Sequence, residues 1–244
     1  MPYSIQVGWS DVPHLTKEAQ EELAKSYLPH ELDARSKGIP ILGAGRIYPV
    51  PDDIWLCDPF EMPPFWPRAY GMDVGWNKTA AIWGAWDRDS DTVYCYSEYY
   101  QGQAEPAIHA DAIRARGHWI QGAIDPAAGA ANQLDGRRLR DVYGGLGLIL
   151  FNAENTVEAG IHAVYQRLAA GRLRIFRTLG ATQSELRLYR RDDNGKVVKE
   201  NDHLMDALRY LIMTGLVYAT TAPHREEEYN RAAHERTRSK VTGY

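Results

Sequence analysis

Residues 68–86 read RAYGMDVGWNKTAAIWGAW, a stretch that places one carboxylate, Asp73, inside an apolar segment of β-strand character. A turn that begins at Gly75 follows, and a second apolar segment comes after it. Burying an ionised carboxylate is costly unless the group is paired or binds a metal ion. The stretch therefore predicts a strand that carries a functional acid.

The chain continues as further strands and helices whose order predicts the fold class. A turn at residues 87–91 leads into an aromatic-rich strand at 92–100, which predicts an antiparallel three-stranded meander. Helices and strands then alternate: helix 105–116, strand 119–126, helix 133–143 ended by Gly144 and Gly145, buried strand 146–151, helix 156–170 and strand 173–176. Crossovers of this length predict parallel pairing. We expect an α/β fold in which this mixed sheet is flanked by helices.

Composition and charge exclude several classes of protein. The 244 residues are 44% hydrophobic, which is enough for a core, and the formal net charge of −4 gives no global nucleic-acid signature. Cys57 and Cys95 lack CxxC spacing, so neither a zinc site nor a disulfide framework is predicted. No apolar run reaches membrane-spanning length and no signal peptide is visible, which predicts an intracellular protein without a membrane.

The chain divides by pattern into three parts. Residues 1–66 form a predicted N-terminal linker arm with one amphipathic helix at 16–26 and a short helical piece at 30–36. Residues 67–219 form the predicted core domain, which closes with a helix at 202–218. Residues 220–244 are polar without apolar periodicity, which predicts a flexible tail.

Three carboxylates are candidates for a single site. Asp73 lies on the first strand, Asp125 ends the fourth strand, and Asp206 lies near the start of the last helix, where Asp202 precedes it by one turn and is expected to share its helical face. Hard oxygen ligands of this kind suit Mg²⁺ or Mn²⁺, and two such ions can promote phosphodiester cleavage. The alternatives are that Asp125 starts a turn before Pro126 and that Asp202 caps the helix.

Two further residues have open roles. His203, three residues before Asp206, is a metal ligand, a proton carrier for the leaving oxygen or a mere neighbour; we favour weak ligation or orientation of a ligand. Glu98 on the third strand is either an accessory acid or a half-exposed strand residue.

A basic hairpin is the predicted DNA contact. Asn194 and Gly195 with polar flanks predict a tight turn. Basic residues outnumber acids around it: Arg187, Arg190, Arg191, Lys196 and Lys199. Such a ribbon can neutralise phosphates of double-stranded DNA without reading sequence, whereas the alternative is a merely solvated hairpin.

Three motifs carry a resemblance to a known family: GMDVG at 71–75, AIDPA at 123–127 and NDHLMDALRY at 201–210. Together they resemble the nuclease domain of the large terminase subunit of tailed bacteriophages. The resemblance implies an RNase H-like fold and an endonuclease that cuts concatemeric viral DNA during packaging. It also implies that Asp73, Asp125 and Asp206 bind two Mg²⁺ or Mn²⁺ ions, with Asp202 and His203 assisting. The implied partners are the terminase ATPase domain, the portal protein and the small terminase subunit, in the cytoplasm of the infected host.

The sequence departs from a full-length large terminase in one respect. It contains no G-x-x-x-x-G-K-[ST] phosphate loop, so we expect an excised nuclease domain without the ATPase. One alternative is an actin-like ATPase, because residues 73–75 form an Asp-x-Gly; no convincing second loop of this kind follows. The other is a non-catalytic docking module for the portal or the small subunit, against which the three retained acids argue.

Overall fold

The computed structural model describes residues 45–129 and 138–223, together with residues 15–26 and positions 9, 12 and 36. The chain divides into two compact units, one of Met1–Pro49 with Leu188–Glu200 and one of Val50–Arg187 with Asn201–Tyr244. The helical piece predicted at 30–36 and the tail beyond residue 223 lie outside the described residues. No helix in the described part of the chain is long and apolar enough to cross a membrane.

The smaller unit contains the predicted first helix and hairpin. Helix α1 spans Lys17–Ser26. The Ile47 N–H donates to the Tyr189 carbonyl oxygen at 2.9 Å, and an isolated bridge joins Arg191 to Val197. Gly195 has a φ of +78°, and the Asp192 carboxylate accepts the backbone N–H groups of Asn194 and Lys196. The hairpin predicted from the Asn-Gly pair is therefore present.

The larger unit contains strands and helices in alternation. Its strands are β1 Leu56–Cys57, β2 Arg68–Asp73, β3 Thr79–Asp87, β4 Thr92–Gln101, β5 Gln121–Ile124, β6 Leu150–Asn152 and β7 Leu173–Phe176. Its helices are α2 Asp52–Trp55, α3 Pro106–Arg114, α4 Leu139–Gly145, α5 Val157–Ala169, α6 Gly180–Leu188 and α7 His203–Met213. Short 3-10 turns follow β5 and α7 at Pro126–Gly129 and Gly215–Tyr218.

Among the described residues, seven strands form one sheet in the order β1-β7-β4-β3-β2-β5-β6. The pairs β2/β3 and β3/β4 are antiparallel, as the meander predicts, and the remaining pairs are parallel. The meander is central, and its nine-residue β3 is buried from Thr79 to Ala85. A strand covered on both faces reads as a continuous apolar run, as residues 79–86 do.

Helices cover both faces of the sheet. Tyr70 and Met72 on β2 pack in one apolar cluster with residues of α3 and α4. Because side chains alternate along a strand, Gly71 and Asp73 lie on the opposite face. Helix α7 covers that face and contacts β2, β3 and α5. Asp73 is therefore on the α7 side of the sheet.

Helix α7 can approach β2 closely because residue 71 is a glycine. A Cβ at Gly71 would lie 1.9 Å from the Ala207 carbonyl oxygen and 2.6 Å from the Leu211 nitrogen. Helix α7 is buried almost all round from Leu204 to Ile212, as expected of a central helix. This close packing brings the first turn of α7 to the end of β2.

Three predicted element boundaries are wrong. Helix α4 runs through Gly144 and Gly145, which the sequence analysis took as its end. Strand β6 is a half-exposed edge strand rather than a buried one and begins only at Leu150. The last helix ends at Met213, because a 3-10 turn takes over the remaining residues.

Candidate active site

Two of the predicted acids lie at adjacent strand ends on one edge of the sheet. Asp73 is the last residue of β2, and Asp125 follows the last residue of β5, with its N–H donating to the Met72 carbonyl oxygen at 3.0 Å. The register pairs Gly71 with Ala123, so both acids lie on the face that α7 covers. Asp125 also begins a turn, since its Oδ1 accepts the Ala127 N–H at 3.0 Å.

Helix α7 brings its first residue to the same edge. His203 Nδ1 lies 2.8 Å from Asp73 Oδ2. Because an ionised carboxylate can only accept, Nδ1–H donates to Asp73 whenever that acid is charged. His203 therefore contacts Asp73 at the end of β2.

Electrostatic coupling places all three acids in one neighbourhood. Burial raises the pKa of Asp73, the His203 hydrogen bond lowers it, and the charges of Asp206 and Asp125 raise it further, with a net upward shift. The pKa of Tyr210 is raised by burial and then by the charges of the same three acids. Asp125 and Asp206 thus lie within electrostatic range of Asp73.

Arg209 is a site residue that the sequence analysis did not single out. Its side chain is 1% exposed, and its Nη2 donates to Asp206 Oδ1 at 2.6 Å. Gly160 of α5 leaves room for the stem of Arg209, since a Cβ there would lie 3.2 Å from the Arg209 Cδ. The sequence signal for this ion pair was the spacing of three residues between Asp206 and Arg209, which places both side chains on one face of a helix.

Asp202 lies beside this cluster but outside the helix. It occupies the N-cap position of α7 with φ −117° and ψ 9°, and its side chain makes no capping hydrogen bond. The prediction that Asp202 and Asp206 share a helical face is therefore wrong, because residue 202 is not helical. Its charge acts on His203, whose pKa is raised first by the Asp73 hydrogen bond and also by the charges of Asp73, Glu185 and Asp202.

Glu185 is a buried acid that the sequence analysis missed. It is 3% exposed, and its Oε2 accepts the Leu204 N–H at 2.6 Å, so this side chain of α6 caps α7. Burial raises the pKa of Glu185 to about 6, although hydrogen bonds to the first turn of α7 oppose the shift. An acid next to apolar Leu186 on the buried side of a helix was the only signal in the sequence.

Glu98 has a structural role. Its carboxylate accepts the N–H groups of Ala181 and Thr182 at 3.1 and 2.8 Å and the Thr182 hydroxyl at 2.7 Å. These groups lie in the first turn of α6, so Glu98 caps that helix from strand β4. The two caps are connected, because Glu98 caps α6 and Glu185, a residue of α6, caps α7.

The basic residues predicted to bind DNA do not all lie on the hairpin. Arg187 belongs to α6, and its Nη2 pairs with Asp52 Oδ2 at 2.7 Å, so its assignment to the hairpin is wrong. Arg191 donates to the Gly195 carbonyl oxygen at 3.0 Å, within the hairpin. The three others, Arg190, Lys196 and Lys199, are exposed. Their contact with DNA stays a prediction.

The donor set of the acidic cluster fits a divalent cation of the Mg²⁺ or Mn²⁺ type, because Asp73, Asp125 and Asp206 offer carboxylate oxygens on one face. Among the described residues, no group of three or more Asp, Glu, His or Cys side chains has the geometry of a metal site. Asp73 Oδ2 is engaged by His203 and Asp206 Oδ1 by Arg209. His203 and Arg209 therefore each orient one carboxylate of the cluster.

Comparisons with known proteins identify the relatives of this chain. The model of a family described as "Terminase RNaseH-like domain" matches residues 70–214. The large terminase subunit of Enterobacteria phage LP7 is 33% identical over 217 residues, which are 84% of this chain and 45% of that relative. The chain thus spans about half the length of that protein.

Solved structures agree with the sequence matches. The large terminase nuclease domain of phage P22 superposes with a TM-score of 0.66 at 29% identity, covering 72% of this chain and 94% of that one. The large terminase nuclease domain of bacteriophage SPP1, solved with bound Mn, has a TM-score of 0.51 at 18% identity and covers 66% of this chain and 96% of its own. The RNase H-like fold expected from the motifs is confirmed.

Proposed function

The chain belongs to the terminase RNase H-like domain family, and on that premise we propose that it is a metal-dependent endonuclease that cleaves double-stranded viral DNA during genome packaging. One observation carries the proposal. Asp73 ends β2, Asp125 directly follows the adjacent parallel strand β5 on the face covered by α7, and the charges of Asp125 and of Asp206 on that helix both raise the pKa of Asp73. Acids gathered in this way repel one another, which favours a bound cation as their counterion.

In the proposed mechanism, Asp73, Asp125 and Asp206 would hold two Mg²⁺ or Mn²⁺ ions, and Asp202 would add negative charge beside them. When bound, the ions supply the Lewis acidity that activates water and stabilises the leaving oxygen in phosphodiester hydrolysis. His203 orients the Asp73 carboxylate through its Nδ1–H. Its other ring nitrogen can then carry a proton at the edge of the site.

Other residues of the chain hold these ligands in place. Arg209 fixes the rotamer of Asp206 through a buried ion pair. Glu185 anchors the N-terminus of α7 and so fixes His203. Gly71 sets the distance between α7 and β2. The chain therefore positions its carboxylates from three elements, which is how a binding site gains preorganisation.

The proposal extends to partners and location. We expect the domain to act on double-stranded DNA together with a terminase ATPase domain, the portal protein and the small terminase subunit, in the cytoplasm of the infected bacterium. Exposed cations at Arg190, Lys196 and Lys199 are the proposed phosphate contacts. Binding through phosphates alone is salt-sensitive and independent of sequence.

Plasmid cleavage tests the proposal. The wild-type chain is incubated with supercoiled plasmid in Mg²⁺, in Mn²⁺ and in EDTA, beside Asp73→Asn and Asp125→Asn. Each substitution removes a ligand charge without changing shape, so we expect cleavage to fall about a hundredfold or more. Asp111→Asn is the matched control, because the exposed Asp111 pairs with the exposed Arg114, and such a surface pair contributes little to stability.

Folding is measured in the same samples. Without metal, Asp73→Asn should melt at or above the wild-type temperature, since ionised Asp73 is buried beside two like charges. A non-catalytic docking module predicts instead that no preparation cuts DNA in either metal. Near wild-type cleavage by Asp73→Asn or Asp125→Asn removes that acid from the site.

A further inference from the structure

Trp76 is an exposed aromatic residue beside the proposed cleavage site. It lies in the loop of residues 74–78, which begins directly after Asp73 at the end of β2 and leads into β3. The Trp76 side chain is 67% exposed. A large apolar ring that a protein leaves in solvent next to a functional edge is a candidate contact for a ligand.

The loop that carries Trp76 is braced by its neighbours. The Gln103 N–H donates to the Trp76 carbonyl oxygen at 2.8 Å, and the Thr79 hydroxyl donates to the Gly75 carbonyl oxygen at 3.2 Å. Gly102 packs so closely that a Cβ there would lie 1.9 Å from the Asn77 carbonyl oxygen. The backbone at Trp76 is therefore fixed relative to Asp73, which lowers the entropic cost of a contact made from this loop.

The loop that carries Trp76 also carries a cation, Lys78. Lys78 Nζ lies 4.3 Å from the centroid of the Tyr100 ring. The register pairs Asp73 with Ala80 and Ala80 with Tyr100, so Tyr100 lies on the same face as Asp73. Lys78 is thus directed toward the face of the sheet that carries Asp73. Its ammonium group can pair with a phosphate there, while the Trp76 indole is available for an apolar contact.

We propose that Trp76 contacts a nucleobase of the DNA next to the phosphate that enters the acidic site, with Lys78 on the adjoining phosphate. The inference rests on the proposed nuclease function and adds a substrate contact to it. Aromatic rings stack on any base because each base has a π-face, and apolar wedges of this kind insert at base steps of a duplex. The contact favours sites where the duplex opens easily, such as a mismatch.

Stacking and phosphate contacts differ in their dependence on salt. A lost phosphate contact reduces the slope of log affinity against log salt concentration by about one, whereas a lost stacking contact releases no counterions and leaves the slope unchanged. Trp76→Ala and Lys78→Ala should therefore weaken DNA binding in two distinguishable ways. Trp76→Phe, which keeps an aromatic face, is the matched conservative variant.

Fluorescence anisotropy in EDTA measures binding without cleavage. The probes are a short labelled duplex and the same duplex with a central mismatch. We expect Trp76→Ala to bind the mismatched duplex about 5- to 20-fold more weakly than wild type, with a smaller loss on the perfect duplex and an unchanged salt slope. Trp76→Phe should keep most of the affinity. The melting temperature should not change, because the side chain is exposed.

The outcomes separate this inference from the function on which it rests. If wild type cuts plasmid and Trp76→Ala binds both probes as wild type does, the Trp76 contact is refuted and the nuclease stands. An altered salt slope in Trp76→Ala would also overturn it, since it would show a loss of phosphate contacts. If wild type neither binds nor cuts DNA, both proposals fail.

Discussion

His203 Nδ1 and Asp73 Oδ2 lie 2.8 Å apart, so a hydrogen bond joins the first residue of α7 to the last residue of β2. The Asp73 side chain is 14% exposed and that of His203 is 35% exposed. The bond holds a buried carboxylate in one rotamer at the edge where Asp125 lies. It makes His203 the orienting partner of a proposed ligand.

The first prediction concerns this bond. His203→Ala should raise the Mn²⁺ concentration needed for half-maximal plasmid cleavage by about 10- to 100-fold, because a ligand that has lost its orienting partner binds metal less well. Excess Mn²⁺ should restore most of the maximal rate. The measurement is a Mn²⁺ titration of the cleavage rate.

His203→Asn is the matched variant, since its amide N–H can donate to Asp73 in place of Nδ1. It should need less Mn²⁺ than the alanine variant. A lower maximal rate at unchanged Mn²⁺ dependence would instead identify His203 as a proton carrier. Full activity of His203→Ala at limiting Mn²⁺ would leave His203 without any role in the site.

The sequence predicted the strands that carry the acids because their signals are local. Asp73 stands between apolar neighbours in a β-compatible run, and the segment after β4 alternates helices and strands at lengths that require parallel pairing. These signals place each acid at the end of a strand. The spacing does not show that the two ends meet, and it is the pairing of β2 with β5 in the structure that brings Asp73 and Asp125 together.

The supporting residues were not predictable in this way. Glu185 caps α7 across 19 residues, and the partner of Arg187 is Asp52, 135 residues away. Neither pairing leaves a periodic pattern, because each depends on how elements pack in three dimensions. Gly144 and Gly145 led to a wrong prediction of where α4 ends, because local helix propensity only weakly determines the end of a helix.

The second prediction concerns Gly71. Gly71→Ala should lower the free energy of unfolding by about 3 kcal/mol or more, because its Cβ would overlap the backbone of α7 at Ala207. The same displacement should move Asp206 from Asp73 and reduce cleavage. Urea denaturation measures the loss of stability.

Gly144→Ala is the control for this substitution. Gly144 is exposed within α4, and a Cβ there would meet no atom within 4 Å. Alanine is the better helix former, so stability should stay unchanged or rise by up to about 1 kcal/mol. If Gly71→Ala were as stable as Gly144→Ala, close packing of α7 on β2 would not be required.

The third prediction concerns the hairpin. Charge reversal at Arg190 and Lys196, both exposed, should weaken binding of all DNA sequences alike and reduce the salt slope by about one for each lost phosphate contact. Metal binding should not change. Arg187→Gln is the control. Because Arg187 is paired with Asp52, this substitution should leave the salt slope of DNA binding unchanged. Equal slopes for the double variant and wild type would place the DNA elsewhere.

The last prediction concerns Glu185 and pH. Its pKa in the folded protein, about 6, exceeds the ordinary 4.5, so the folded state favours the protonated acid. That stability is fully present below pH 4.5 and is lost as pH rises through 6, which amounts to about 2 kcal/mol. Glu185→Gln keeps an acceptor for Leu204 N–H and carries no charge. In EDTA, it should therefore be more stable than wild type at pH 7 to 8 by about 2 kcal/mol.

Glu98→Gln supplies the opposite sign. The two Glu98 carboxylate oxygens accept the backbone N–H groups of Ala181 and Thr182 at the start of α6, whereas a Gln amide offers one acceptor oxygen, so the substitution should destabilise the protein by about 1 kcal/mol. Urea unfolding of both variants and wild type from pH 4 to pH 8 gives the comparison. Glu185→Gln should match wild type near pH 4 and diverge upward above pH 6. A parallel profile across the whole range would mean that Glu185 ionises in the folded protein as readily as in the unfolded chain, and its burial against α7 would then have no energetic consequence.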